Sequence, residues 1–209
     1  MLAEARVLGF LGPGPVEAHL DHASGFVEVV RGLAPDAQTG ALTSWPEQAA
    51  DLGSGAGLPG LPLALCFPGS SWLLVESSVR RAAFLRQAVR QLGIEDRVEV
   101  AEERAEVVGR SPGWRGRLDL VVARSFGPPA VVAECGAPLL AAGGYAVVSE
   151  PPGGMPSRWP LSGLSPLGMA PGAAVAAEEG AYQILRQEHP CPDRYPRRVG
   201  VPAKRPLFS

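Results

Sequence analysis

The segment Asp51-Leu-Gly-Ser-Gly-Ala-Gly-Leu-Pro-Gly60 holds the residues of this chain best suited to chemistry. Apolar Ala49, Ala50 and Leu52 lead into it, and an apolar run (61–67) follows. A strand that breaks into a glycine turn and re-enters as a helix can hold a nucleotide-like ligand, because glycine takes positive φ and lets backbone amides come close. The start of the next helix then offers unpaired N–H groups and a partial positive charge. Pro59 suits that helix start, where its missing N–H is not needed. Gly55-x-Gly57-x-x-Gly60 formally meets the dinucleotide fingerprint, with Glu76 near the place of a ribose-binding carboxylate. A glycine turn that binds nothing is the bland alternative. The order strand, turn, helix, strand, acid argues for a cofactor.

The full string Asp-x-Gly-x-Gly-x-Gly also resembles the first motif of class I S-adenosylmethionine (SAM) methyltransferases. That resemblance implies Gly53, Gly55 and Gly57 beneath the methionine part of the cofactor, Asp51 at a strand end, and Glu76 on the ribose hydroxyls.

The elements around the motif favour this second possibility. Residues 72–76 read as a buried strand, and 77–92 as a helix whose apolar residues recur at helical spacing, ended by Gly93. Arg80, Arg81, Arg86 and Arg90 occupy its other side and read as a solvated face. Residues 97–101 and 118–123 read as strands, 103–108 and 129–140 as helices, and 144–149 as a fifth strand. Such alternation predicts an α/β, mostly parallel, doubly wound sheet. Residues 150–172 are rich in proline and glycine and read as a loop. Residues 173–178 and 181–188 flank Glu179-Gly180 and read as an antiparallel hairpin. A dinucleotide dehydrogenase would continue with more alternation or a second domain; a class I methyltransferase sheet closes on such a hairpin. Residues 16–30 predict an amphipathic helix, and 32–45 a connection.

Composition sets the bounds. The chain has 209 residues, 46% hydrophobic and 19% charged, as in a soluble globular protein with one substantial core. A formal charge of −2 gives no global attraction to nucleic acid. Basic residues concentrate instead near the carboxyl end, at Arg186, Arg194, Arg197, Arg198, Lys204 and Arg205. Cys66, Cys135 and Cys191 show no metal spacing and read as reduced cysteines of a cytoplasmic protein. No secretory signal or transmembrane segment is read. The expected organisation is a short helical extension (1–47), a methyltransferase domain (48–188) and a basic tail (189–209).

Five further stretches narrow the resemblance: residues 51–64, Glu76 followed by Arg80-Arg-Ala-Ala-Phe-Leu-Arg86, Arg104-Ala-Glu106, Ala123-Arg124-Ser125, and Tyr195-Pro-Arg-Arg-Val-Gly-Val-Pro-Ala-Lys-Arg-Pro-Leu207. In this order they resemble the glucose-inhibited division protein B family, bacterial methyltransferases that modify a guanine N7 of small-subunit ribosomal RNA. The resemblance implies SAM as cofactor, 16S rRNA or the small ribosomal subunit as partner, and a monomer. It puts Gly53 and Leu58 against the cofactor, Ala105 and Glu106 at the adenine edge, and Arg124 at the strand end facing substrate, with an orienting role. Two departures fall on the substrate side. The family's Leu-Lys-Gly is replaced by Val148-Ser149-Glu150-Pro151, an anion for a cation, and its Arg-His pair survives at best as Ala18-His19.

Guanine N7 has a free lone pair and needs no general base, so holding nucleophile, methyl and sulfur in line would suffice. Glu150 is a candidate by position to offset developing positive charge. Phe126 and Trp159 either stack on a base or pack in the core. His19 and His22, three residues apart on the expected helix, lack further metal ligands and read as core or surface residues. Arg197, Arg198, Lys204 and Arg205, kept extended by prolines, are expected to meet phosphates; the alternative is a terminal strand packed through Tyr195 and Leu207.

Overall fold

Leu118–Ala123 is apolar at every position but Asp119, and a strand of that kind must be covered on both faces. The computed structural model, which describes residues 1–34, 45–151 and 156–209, meets that demand with helices on both sides of a seven-stranded sheet. In chain order the elements are α1 Leu2–Val7, α2 Val16–Leu33, β1 Gln48–Leu52, α3 Gly60–Cys66, β2 Ser71–Val75, α4 Val79–Leu92, β3 Val98–Ala101 and α5 Ala105–Val108. There follow β4 Leu118–Ala123, α6 Pro129–Gly136, β5 Leu140–Glu150, α7 Leu161–Leu164, β6 Met169–Ala177, β7 Gly180–Gln187 and α8 Val201–Lys204. The sheet order is β3-β2-β1-β4-β5-β7-β6. β1 to β5 run parallel, while β7 is antiparallel to both β5 and β6. This is the expected doubly wound sheet ending in an antiparallel hairpin.

Alternate residues of each strand enter different layers. Ala50 and Leu52 pack with Val121, Ala133 and Leu164 on one side. Ala49, Trp72 and Leu74 pack with Phe26, Leu61 and Leu85 on the other. Helix α4 ends at Gly93 in the left-handed region, as its sequence predicts.

Three expected elements are corrected. The helix anticipated over 129–140 stops at Gly136; Pro138 cannot extend it, and β5 begins at Leu140. The stretch 150–172 is not all loop: it contains 3₁₀ turns at Pro156–Arg158 and Ser165–Leu167, helix α7 and the start of β6. Its widely spaced apolar residues Trp159, Leu164, Leu167 and Met169 are buried and fold it onto the sheet. The hairpin turns one residue early, so that Gly180 pairs with Ala177. Most of the connection expected at 32–45 lies outside the described residues. Helix α1 is unforeseen, being too short to show a period; its Ala5 is buried against Ala56 and Phe84.

The carboxyl-terminal segment is folded back rather than extended. Arg115 gathers it: one guanidinium nitrogen donates to the carbonyls of Gly109 (3.0 Å) and Tyr195 (2.8 Å), the other to those of Cys191 (2.8 Å) and Pro192 (3.0 Å).

Helix α2 is drawn onto the hairpin by the hydroxyl of Tyr182, which donates to the His22 carbonyl at 2.8 Å. Only glycine fits beneath that contact, since a Cβ on Gly25 would lie 2.1 Å from the Tyr182 oxygen. The Tyr182 ring is buried and cannot swing into solvent. Gly25→Ala is therefore expected to cost about 1–3 kcal/mol of overpacking despite the better helix propensity of alanine. Urea unfolding of the two proteins measures it, and equal or greater stability of the variant would refute this packing.

Candidate cofactor and acceptor site

The sheet reverses its strand order between β1 and β4, and ligands of doubly wound sheets sit beyond the carboxyl ends of strands at such a point. Leu52 stands opposite Val75 on one side and Ala123 on the other, so three strands end level and their continuations part. The glycine turn leaves β1 there. Its amides are nearly all used within the fold: Gly53 and Ser54 donate to the Val75 carbonyl (2.9 and 3.0 Å) and Gly57 to that of Ser54 (2.6 Å). Gly55 donates to Glu76 Oε2 at 3.1 Å. At the helix start, Gly60 donates to Asp51 Oδ2 (3.1 Å) and Leu61 to the Gly57 carbonyl (2.8 Å). The expectation that α3 opens with free amides for an anion is thus corrected: Asp51 and Gly57 already accept them. A pyrophosphate would find few donors here.

Three chambers open above the strand ends. The first, about 310 Å³, lies between Gly53, Glu76, Ala105, Glu106, Phe126 and Ala203. The second, about 350 Å³, lies between Phe10, His19, Gly55, Leu58, Arg81 and Arg124. The third, about 330 Å³, lies between His22, Arg124, Phe126, Ser149, Glu150 and Arg158. Ser125 lines all three. It is also the one non-glycine residue with positive φ (54°) among the described residues, a strained turn that carries the chain from β4 across the crevice. A Cβ on Gly53 would lie 2.7 Å from the Phe126 ring, so glycine there leaves room for the ring.

The sequence-derived site residues fall as follows. Gly53, Gly55, Leu58, Glu76, Ala105, Glu106 and Arg124 all line the first or second chamber. Gly57 does not; a Cβ there would run into Leu61, so its lack of a side chain serves the packing of α3. Arg197 is also relocated. Its guanidinium grips the fully buried Glu134, with Nε 2.8 Å from Oε1 and a terminal nitrogen 2.6 Å from Oε2, and is not a free phosphate contact. Arg198, Lys204 and Arg205 are exposed. Glu150 is not a free carboxylate: Arg158 and Trp159 Nε1 donate to its two oxygens. Trp159 is buried in the apolar core with Leu164 and Leu167 and is not available to stack.

Sequence reasoning missed Phe10 and the loop after α1, which wall the second chamber. It also placed Arg81 on a solvated face, whereas Arg81 lies 3.3 Å from Glu76 and lines both the first and second chambers. The i+5 spacing from Glu76, across a helix start, was the available signal. His19 receives a 2.5 Å contact at Nδ1 from Arg124, which bridges β4 to α2.

Burial governs the charges. Asp51 is 1% exposed, and desolvation pushes its carboxyl up to about 7 against the lowering influence of the Gly60 amide and Ser54; its Oδ1 has no partner. Burial, helped by Arg124 and His19, brings His22 down to about 4, so its ring is neutral. Burial pulls the Arg124 guanidinium below its ordinary value, opposed by Tyr182 and Asp51. For Glu106 burial acts upward, but the Gly200 amide, its own amide and Arg104 outweigh it and keep it ionised.

Similar proteins agree with this geometry. Residues 24–150 match the sequence model of a family described as GidB, rRNA small subunit methyltransferase G. A ribosomal RNA small subunit methyltransferase G from Rubrobacter xylanophilus is 40% identical over 170 residues, covering 76% of this chain and 64% of that protein. The protein of the same name from Roseiflexus castenholzii is 39% identical over 175 residues, covering 79% and 74%. The chain thus spans less than two thirds of the Rubrobacter relative. Among solved structures, an RNA methyltransferase from Salinibacter ruber in complex with S-adenosyl-L-homocysteine superposes with a TM-score of 0.57 at 16% identity, covering 87% of this chain and 97% of that one. A putative methyltransferase, yhhF from Escherichia coli, gives 0.57 at 17% identity over 85% and 89%. At such identities the structures establish the shared methyltransferase fold alone. The sequence matches go further: this chain belongs to the rRNA small subunit methyltransferase G (GidB) family.

Proposed function

We propose that this protein binds SAM in the first and second chambers and methylates N7 of a guanine of small-subunit ribosomal RNA presented in the third. The observation that carries the proposal is the convergence of the three chambers on Ser125, so that a cofactor held in the first two and a base held in the third would meet at one point. The names of the relatives supply the RNA class. On this reading the site works in the cytoplasm, on the ribosomal subunit or its precursor RNA.

The residues present fit SAM better than a dinucleotide. The turn spends its amides internally, which suits a ligand without phosphates. Glu76, 4% exposed yet lining the first chamber, is positioned for ribose hydroxyls, its carboxylate oriented by the Gly55 and Ser78 amides. Ala105 and Glu106 would meet the adenine. Bound SAM would supply an activated methyl on its sulfonium.

The protein's own part is placement. Arg124, fixed to α2 through His19, sits where the second and third chambers meet and would orient the base. Phe126 stands between the first and third chambers and offers a face for stacking. The third chamber has no ready proton acceptor among its described residues: His22 is a weak base and Glu150 is paired. A nucleophile with a free lone pair needs none. The base would have to be unpaired or flipped to enter. Arg198, Lys204 and Arg205 are left to meet phosphates.

Three outcomes are expected. Transfer of labelled methyl from SAM should mark a guanine N7 in small-subunit rRNA, tested on naked RNA and on 30S particles with the modified base mapped; label found only in another RNA or in small molecules refutes the substrate. Gly55→Asp, which adds a carboxylate at φ +55° beside Glu76, should weaken SAM binding by more than about 100-fold in calorimetry; undiminished affinity in the folded variant refutes the site. Because Asp51 binds its proton more tightly folded (about 7) than unfolded, it favours folding below pH 4 and loses that contribution as pH rises from 4 to 7. The melting temperature of the unliganded protein minus that of Asp51→Asn should therefore fall across this window, and the opposite His22 slope cancels in the difference. A flat difference would refute the buried, protonated carboxyl.

A further inference from the structure

The first chamber is walled in part by a segment that the sequence reads as an RNA-binding tail. Ala203, on α8, lines it together with Ala105 and Glu106. The Gly200 amide donates to Glu106 Oε1 at 2.9 Å, and Arg104 reaches the same oxygen at 3.4 Å. Gly200 takes φ +78°, a turn that aims its N–H inward and that L side chains rarely adopt. The segment bearing Gly200 is pinned from below. Arg197 gives Glu134 three hydrogen bonds, two from its guanidinium and one from its backbone amide (2.8 Å), and also donates to the Arg205 carbonyl at 2.7 Å, closing the 197–205 loop on itself. Glu134 is on α6, whose Cys135 and neighbouring Val131 line the same chamber.

We propose that residues 197–203 are the adenine-side wall of the cofactor crevice, and that Arg197 is a positioning residue for cofactor binding rather than an RNA contact. The proposal deepens the functional reading above and rests on it. The logic is geometric. An ionised carboxylate is an acceptor only, and an exocyclic amine is a donor. With Oε1 held by Gly200 and Arg104, Glu106 has one oxygen whose direction is fixed by the first. If the Arg197–Glu134 clasp opens, Gly200 moves, Glu106 is free to turn, and the selectivity for a 6-aminopurine goes with it. Arg198, Lys204 and Arg205 point outward from the same loop, so loop closure and phosphate contact belong to its two faces.

The test is calorimetric binding of S-adenosylhomocysteine and of its 6-oxopurine counterpart, S-inosylhomocysteine, to the full chain and three variants. Wild type should prefer the adenine compound by at least about tenfold, since a site built to accept a hydrogen bond rejects the analogue lacking the donor. Arg197→Ala should weaken S-adenosylhomocysteine by at least about tenfold and bring the ratio of the two ligands close to one, a change that loss of global stability alone would not produce. Arg90→Ala, at an exposed position of α4 outside the chambers, should leave both affinities as they are. Arg197→Ala strands the buried Glu134 and can unfold the protein, so Ala203→Trp provides an independent measure. It disturbs no buried partner, narrows the chamber directly, and should also weaken S-adenosylhomocysteine at least about tenfold through overpacking. Unchanged binding by folded Ala203→Trp, or Arg197→Ala with an unchanged ligand ratio, overturns the wall. A wild-type protein that binds neither compound overturns the functional reading itself.

Discussion

Leu52 is level with Val75 in one neighbouring strand and with Ala123 in the other, and the crevice is a consequence of that register. Had β1 slipped by one residue, every side chain would change faces and Asp51 would leave the layer where the Gly60 amide awaits it. With three strands ending together, their onward chains must turn away in different directions. The glycine turn folds back under Glu76, the chain after β2 enters α4, and the chain after β4 is swung by Ser125 at φ 54°. Two carboxylates lock this divergence. Asp51 ties the end of β1 to the start of α3, and Glu76 ties the end of β2 to both Gly55 and Ser78. Both are almost wholly buried. Each has structural work besides whatever it does for a ligand, which makes simple deletion of either a poor probe of binding.

What the sequence disclosed was whatever depends on neighbours in sequence. The strand at Leu118–Ala123 was legible to the residue because a fully buried strand is a continuous apolar run, and the end of α4 because Gly93 marks it. The glycine turn and Glu76 were legible because their spacing is fixed by one strand–turn–helix–strand unit. The functional weight of Arg81 was not. A helical face rich in arginine looks solvated, and only the fold shows that this face borders the crevice while Arg86 pairs with Glu102 at its far side. The place of Arg197 escaped the sequence for a related reason. Arg197 and Glu134 are 63 residues apart, and Arg115 reaches carbonyls 76 to 80 residues away. No local pattern encodes such pairings. A run of arginines between prolines has the same composition whether it trails in solvent or clasps a buried carboxylate.

The third chamber shows how a local departure from a family pattern can be balanced from elsewhere. Glu150 stands at the end of β5 where the family resemblance leads one to expect a cation, which taken alone would put a negative charge in the third chamber. In the fold, Arg158 turns back from its 3₁₀ turn to neutralise it, and the pair lines the third chamber together with Arg124. The charge of this chamber is then set by Arg124 and Arg158 against one paired carboxylate. A charge at one position is therefore a weak guide to the field in a cleft; the partners that reach it decide the sign.

The same argument applies to catalysis. An acid–base enzyme leaves a mark in sequence and structure, a pair of groups whose pKa values are driven apart toward their tasks. Here burial pushes the Cys135 and Cys191 thiols and the Tyr182 hydroxyl up, away from neutrality; the groups brought toward it or below it are Asp51, buried beneath the turn, and His22, made neutral where it borders the third chamber. Neither shift prepares a base for the acceptor. On the proposed function, transfer to a lone pair would ask only that two ligands meet at a fixed angle and that water be kept from the junction. Those requirements fall on backbone geometry: on the room left by Gly53 for Phe126, on the strained Ser125, and on helix α2 held down by Tyr182 over Gly25. A protein of this kind carries its chemistry in distances, and the residues that set those distances need not touch either ligand.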